Sequence, residues 1–216
     1  MPNKIRILSN KLKKVSNIIQ SCASIFEEPL QSNSFENTGY LFKWEVCLVK
    51  LLVMSDTHGD AEVIQRVREA NQDVDAVIHC GDSELAFDHP NLEEVWKVRG
   101  NCDRDERFPD EQLFEMEGIK VFVAHGHLLN VKSTIMNLIY RSKEVEANIA
   151  FFGHSHVLGA ELVDNILFVN PGSLLKPRVI ADKSYAVVEW VNGAWKVTAY
   201  TDNSVEIFSK TYELTE

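Results

Sequence analysis

Five short polar boxes carry most of the side chains here that can bind a metal or move a proton. They are Asp56-Thr57-His58, Gly81-Asp82, Gly100-Asn101, His125-Gly126-His127 and Gly153-His154-Ser155-His156. Five of the seven histidines fall inside them. An extended turn aims a carboxylate and an imidazole two residues apart at one point, so Asp56 and His58 can share a ligand. Taken singly, each box has a plainer reading. Asp-x-His is common in loops, His79 reads as a satisfied core residue, Asp82 as a helix cap and Asn101 as a turn residue. Five boxes in one order exceed what those readings explain, and the residue types point to metal chemistry. Ligands that are all oxygen or imidazole suit Mn²⁺, Fe, Ni²⁺ or Zn²⁺ rather than a soft metal.

The elements that position the boxes are apolar runs. Leu51-Leu52-Val53-Met54 reads as a buried strand whose carboxyl end delivers Asp56. Ala76–His79, Val95–Val98, Ile119–Ala124 and Ile149–Phe152 read the same way and deliver the other four boxes. In open α/β sheets, ligands gather at such carboxyl ends. Gly81, Gly100 and Gly153 each precede a candidate ligand, where freedom to adopt φ > 0 allows a sharp turn. Between the boxes, Val63, Ile64, Val67 and Ala70 fall at helical spacing behind an Asp60 N-cap. Ser83–Phe87 reads as a short helix, and Ile135, Leu138, Ile139 and Val145 predict a long one over 131–147. Gln112–Met116 adds a strand, and the tail reads as hairpins turning at Asp164-Asn165 and Asn192-Gly193.

At 216 residues the chain can bury one full α/β core. Its formal net charge of −10 argues against a general nucleic-acid or anionic-membrane binder, although bound cations can invert the local field for a phosphate. No apolar run approaches the ~18 residues that cross a bilayer. Cys22, Cys47, Cys80 and Cys102 lack paired spacing, which fits a reduced, cytoplasmic setting. Residues 1–48 differ from the rest, with six basic and four acidic residues against 16 and 28 beyond. A targeting segment, an unneeded extension and a leader are the readings, and the leader is preferred. Trp44-Glu45-Val46 can be encoded as a ribosome-binding sequence, with start-like codons at Leu48 and Val49. The expectation is an N-terminal extension over 1–48, leader or disordered, and one domain over 49–216.

The order D-x-H, GD, GN, H, GHxH resembles the calcineurin-like metallophosphoesterase superfamily. Gly100-Asn101-Cys102-Asp103, His125-Gly126-His127, Gly153-His154-Ser155-His156 and Asn170-Pro171-Gly172-Ser173 are similar to its small YfcE-type phosphodiesterase branch. The resemblance spans about residues 49–212. It implies an α/β fold, a four-layer sandwich of two central, mostly mixed sheets flanked by helices. It implies a metal-dependent phosphoesterase, a phosphodiester preferred, with a dinuclear centre and a bridging hydroxide attacking phosphorus in line. A metallophosphoesterase-fold scaffold for protein–protein contacts, as in the retromer coat, is the alternative.

By that resemblance Asp56, His58, Asp82 and His156 hold one metal. Asp82, Asn101, His125 and His154 hold the second, with Asp82 bridging. Two divalent ions are implied, Mn²⁺ first, with Ni²⁺, Fe²⁺ or Zn²⁺ as alternatives. Asp82 and Asn101 also count as catalytic, and Asn101 as touching substrate. Many superfamily members carry a histidine where Cys102 stands, so His127 is the candidate proton source for the leaving oxygen. Cys102 is expected to be neither ligand nor nucleophile. Arg99, Arg104 and Arg107 lie near the Asn101 box, and Arg104 is the candidate for gripping substrate phosphate. The expected partner is a small phosphoester, with homo-oligomers left open.

Overall fold

In a computed structural model, residues 47–179 and 182–215 are described. Residues 1–46, most of the expected leader, lie outside them. The first strand, β1 (Cys47–Met54), begins two residues ahead of Val49 and so takes in Cys47 and Leu48.

Beyond β1 come α1 (Ala61–Ala70), β2 (Ala76–His79), β3 (Val95–Lys97), β4 (Glu111–Met116) and β5 (Ile119–Ala124). Then follow α2 (Met136–Glu144), β6 (Ile149–Phe151), β7 (Gly159–Val163) and β8 (Ile166–Asn170). β9 (Ser184–Val191), β10 (Ala194–Thr201) and β11 (Glu206–Glu213) end the chain. Six strands form one sheet in the order β11-β10-β9-β1-β2-β3, and five form a second in the order β4-β5-β6-β8-β7. Each is mixed. β1, β2 and β3 run parallel in the first, and β5, β6 and β8 in the second.

The period-2 alternation of strands explains the layering. Leu51 and Val53 of β1 point into a core shared with Val121, Val123, Phe151 and Val169 of the other sheet. Leu52 and Met54 point the opposite way, onto Val63, Ile64 and Val67 of α1. Phe122 and Ala150 likewise back onto Leu138 and Ile139 of α2. The result is helix, sheet, sheet, helix, the expected four layers. Asp60 caps α1, its carboxylate accepting from the Val63 N–H at 3.0 Å. Such a cap contributes about 1 kcal/mol and fixes the helix directly behind the Asp56 box.

Three elements differ from the sequence reading. Ser83–Phe87 is not helical. Glu84 sits at φ 53°, and the N–H groups of Glu84 and Phe87 donate to the carboxylates of Asp103 and Asp105 instead of to a preceding turn. α2 is shorter than 131–147 because Gly126 and Asn130 carbonyls accept from Val131, Ser133 and Thr134 in tight turns first. β11 was not anticipated. It is an edge strand with Tyr212 its one buried residue, so it lacks an apolar face to show in the sequence. No described helix is long and apolar enough to cross a membrane.

Pairing of β1 with β9 is irregular between Cys47 and Val49. A chain starting at Val49, replaced by Met, is therefore expected to melt within a few degrees of the full chain. A loss of many degrees in a thermal melt would show that earlier residues stabilise the domain.

Candidate metal centre

All five boxes leave the carboxyl ends of parallel strands: β1, β2 and β3 in one sheet, β5 and β6 in the other. Backbone bonds carry the strand pairing into the loops. The Asp56 and His58 N–H groups donate to the Gly81 and Asp82 carbonyls, both at 3.0 Å. The Gly153 N–H donates to the His125 carbonyl at 3.1 Å, joining the β5 and β6 boxes. Asp56, His58, Asp82, His154 and His156 all have positive φ, between 44° and 63°. Side chains rarely adopt that conformation, and it persists where the surroundings enforce it.

The glycines before the ligands play a different part from the one anticipated. Gly81 does have φ +96°, but Gly100 and Gly153 are required for space. A Cβ on Gly100 would stand 2.0 Å from Asp82 Oδ1, and one on Gly153 would stand 2.7 Å from Asp56 Oδ2.

Asp56, His58 and His156 form the first group, each offering one ligand atom within 4.8 Å of the others. Ser55 Oγ and the His154 N–H donate to Asp56 Oδ2, at 2.5 and 3.2 Å. His156 Nδ1 donates to the Lys176 carbonyl at 2.7 Å, which turns Nε2 to within 3.0 Å of Asp56 Oδ1. Asp56 Oδ1 and His58 Nε2 are buried with no hydrogen-bond partner among the described residues. Leaving such atoms unpaired costs about 1–3 kcal/mol each. A cation between them removes that cost, so the donor set fits a divalent metal.

Asp56, Asp82 and His125 form a second group within the same distance limit. His125 Nδ1 donates to the Cys80 carbonyl at 2.7 Å, and Nε2 faces two acceptors, Asn101 Oδ1 at 3.3 Å and Asp82 Oδ2 at 3.5 Å, toward which it donates in the metal-free protein. The Cys102 N–H holds Asp82 Oδ1 at 2.7 Å. The His154 ring lies 5.0 Å from that of His125. All seven expected ligands thus converge. The carboxylate common to both groups is Asp56, with Asp82 in the second alone.

Electrostatics favour ligation. Burial opposes charge on Asp56, but His156, His125 and Ser55 outweigh it and lower its pKa. Burial opposes charge on Asp82 too, yet His125 and the Cys102 N–H hold it well below the ordinary carboxylate range. His154 is pushed down to about 4 by burial and by charge on His125, so at neutral pH its lone pair is free. His125 is buried as well, but Asp82 and Asp56 raise its pKa. Asp56 likewise raises His156.

The structure places the other expected residues as follows. His127 lies beside His125 and His154, with ring centroids 5.3 and 6.0 Å away, and burial followed by His125 lowers its pKa. Its Nδ1 is buried without a partner among the described residues. Arg99 pairs with Asp110, and Arg107 with Asp88 and Asp105. Arg104 lines a cleft of about 570 Å³ with Glu84, Leu85, Ala86, Cys102 and Asp105. Burial and Asp82 push the Cys102 thiol up to about 11. Asn170 and Ser173 brace the site, donating to the Gly153 and Asp56 carbonyls at 3.0 and 2.9 Å.

Two supports went unread in the sequence. Asp103 accepts from the N–H groups of Asp82, Glu84 and Gly100 and from Ser83 Oγ, tying two boxes together. Its place in Gly100-Asn101-Cys102-Asp103 was the available signal. Glu84 Oε1 lies 2.5 Å from His58 Nδ1, and nothing in its exposed loop announced that. His79 is a satisfied core residue as read, but it also joins boxes by bonding Thr57 Oγ1 and the Gly81 N–H.

Residues 49–193 match the calcineurin-like phosphoesterase superfamily domain. The chain belongs to that superfamily. Within it, the probable metallophosphoesterase YsnB of Bacillus subtilis is 42% identical over 160 residues, 74% of this chain and 95% of its own length. The crystal structure of a Streptococcus pneumoniae protein described as a predicted phosphoesterase superposes with a TM-score of 0.74 at 38% identity. It covers 77% of this chain and 98% of that one. Escherichia coli YfcE, a phosphoesterase, shares the fold at 23% identity and a TM-score of 0.54, over 74% of this chain and 98% of its own.

Two expectations follow. Gly100→Ala should displace the Asp82 carboxylate and abolish bound metal in elemental analysis, whereas Gly159→Ala, with open space around its Cβ, should change nothing. Retained metal in Gly100→Ala would contradict the packing argument. The second concerns pH. In the metal-free protein His125 and His156 titrate above the ordinary 6.5, so a metal must displace protons there. Mn²⁺ affinity should rise from pH 6 to 8, by about tenfold per unit for each proton displaced. A flat affinity profile would contradict it.

Proposed function

We propose that this chain is a metal-dependent phosphodiesterase working with two divalent cations, Mn²⁺ by first choice, on a small phosphoester. The observation that carries the reading is the pair of buried, unpartnered ligand atoms, Asp56 Oδ1 and His58 Nε2, set beside a second group of Asp56, Asp82 and His125. A purely scaffolding descendant has no need to keep every ligand, so catalysis is favoured over the binding-surface alternative. Free thiols at Cys80 and Cys102 support a cytoplasmic enzyme.

Asp56, His58, His156 and Asp82 hold the first cation, and Asp82, Asn101, His125 and His154 the second. When bound, the two cations supply a nucleophile at neutral pH and offset charge on the phosphoryl oxygens. The chain's own residues do the rest. Lys176 and Cys80, through their carbonyls, hold Nδ1 of His156 and His125 as donors and aim Nε2 at the centre, where it can ligate once its proton is displaced. Arg104 makes no ion pair among the described residues, unlike Arg99 and Arg107, and lines the neighbouring cleft, which supports it as the group that grips a phosphate oxygen. His127, neutral at pH 7 by its lowered pKa, can hydrogen-bond a leaving oxygen through its N–H but holds no imidazolium proton to give it, which counts against its expected role as the proton source. Cys102 lends its backbone N–H to Asp82 and its sulfur to Asn101 Nδ2, and supplies no proton. The preference for a diester over a monoester rests on resemblance to the YfcE-type branch.

The deciding assay is hydrolysis of bis-p-nitrophenyl phosphate by the Mn²⁺-loaded protein. Asp82→Asn is expected to weaken both metal positions and lower kcat by several orders of magnitude, and Asp56→Asn, whose carboxylate belongs to both groups, to empty the first position and weaken the second. Metal retention without hydrolysis in the wild type would favour the scaffold. Two ions and near-normal turnover in Asp82→Asn would remove Asp82 as the bridge.

A further inference from the structure

Glu84 belongs to none of the five boxes, yet its carboxylate makes the closest contact with His58. Glu84 Oε1 stands 2.5 Å from His58 Nδ1. A carboxylate oxygen only accepts, so Nδ1 carries the proton of a neutral His58. The other nitrogen, Nε2, then presents its lone pair, and it is the atom found buried and unpartnered beside Asp56 Oδ1.

We propose that Glu84 is a positioning residue for the metal centre: it fixes the His58 tautomer and ring plane and so sets the affinity of the first metal position. This rests on the metal-dependent reading above. A carboxylate behind a ligating imidazole raises the basicity of the ligand and removes its rotational freedom. The backbone carries signs of the same purpose. Glu84 is held at φ 53°, and its N–H donates to Asp103 Oδ1 at 2.7 Å. Asp103 also fixes the Asp82 N–H at 2.8 Å, so one carboxylate orients a ligand and the partner of another ligand. From the opposite side, the His58 and Gly59 N–H groups donate to the Asp82 and Ser83 carbonyls, at 3.0 and 2.8 Å. The two loops are laced along their length, and the Glu84–His58 contact is where the lacing ends.

Each imidazole of the centre with a buried ligand nitrogen is oriented in this way. His125 and His156 use main-chain carbonyls, of Cys80 and Lys176. His58 alone uses a charged side chain. Its partner is partly exposed and lines the cleft beside Arg104, so the first position is tuned from the side a substrate would approach. Cys102 completes a cluster with His58 and Glu84. That arrangement would make Glu84 a ligand in its own right, and the test separates the two roles.

Glu84→Ala and Glu84→Gln are made in the full chain; both keep a Cβ, so the strain at φ 53° is unchanged. In the metal-free proteins, long-range ¹H–¹⁵N NMR of His58 should show the Nδ1–H tautomer in wild type and Glu84→Gln, and a mixture in Glu84→Ala. Mn²⁺ titration should show one of two positions weakened by about 10–100-fold in Glu84→Ala, and by less in Glu84→Gln. An unchanged tautomer with Mn²⁺ affinity within twofold of wild type in Glu84→Ala would overturn the proposal. Equal losses in both variants with the tautomer unchanged would make Glu84 a ligand and overturn it too. If wild type takes up no Mn²⁺, the metal-dependent reading fails, while the tautomer comparison still reads the Glu84 contact.

Discussion

Two carboxylates, Asp56 and Asp82, lie buried beside His125, with nothing to neutralise them fully except histidine protons or cations. Burying charge is costly unless it is paired, and unpaired it would shift these groups to their neutral forms. Here they remain ionised because imidazoles and backbone N–H groups outweigh burial. The rest of the structure holds that balance in place. Two sheets, meeting through Leu51, Val53, Val121, Val123 and Phe151, bring five carboxyl ends to one edge of the sandwich. α1 and α2 cover the outer faces and take no direct part.

Convergence has a backbone cost. Five of the seven ligands have left-handed φ, at about 1 kcal/mol each. A sum on the order of 5 kcal/mol is comparable to the whole stability of an ordinary domain. It must be offset locally, and the means are visible. Asp103 receives four hydrogen bonds from the loops bearing Asp82 and Gly100, and Ser173 and Asn170 anchor the Asp56 and Gly153 loops from below. Gly100 and Gly153 are small so that Asp82 and Asp56 can approach them. Ligand placement, loop strain and glycine spacing are one constraint seen from three sides.

What the sequence made legible follows from this. Parallel buried strands announce themselves as continuous aliphatic runs, so β1, β2, β5 and β6 could be located and their polar ends read as a constellation. The candidate ligands stood out because they are chemically unusual for strand ends and recur in a fixed order. Supports were less so. Asp103 and Glu84 are carboxylates in polar loops, indistinguishable by type from solvent-facing ones until the fold brings Asp82 and His58 to them. Ser83–Phe87 misread as a helix for the same reason, since side chains from residues 103 and 105 claim the N–H groups a helix would use. β11 stayed hidden because an exposed edge strand needs no apolar face. Gly81 has the φ freedom read for it, but Gly100 and Gly153 matter for close approach, which depends on what lies across the site rather than on local φ.

The central claim is that the five strand ends build two adjacent metal positions with a carboxylate between them. Anomalous diffraction at the manganese edge from Mn²⁺-soaked crystals tests it most directly. Two peaks about 3.5–4 Å apart are expected. One should lie among Asp56, His58 and His156, the other among Asn101, His125 and His154, with Asp82 touching both. A single peak, or two peaks that share no carboxylate, would contradict the account.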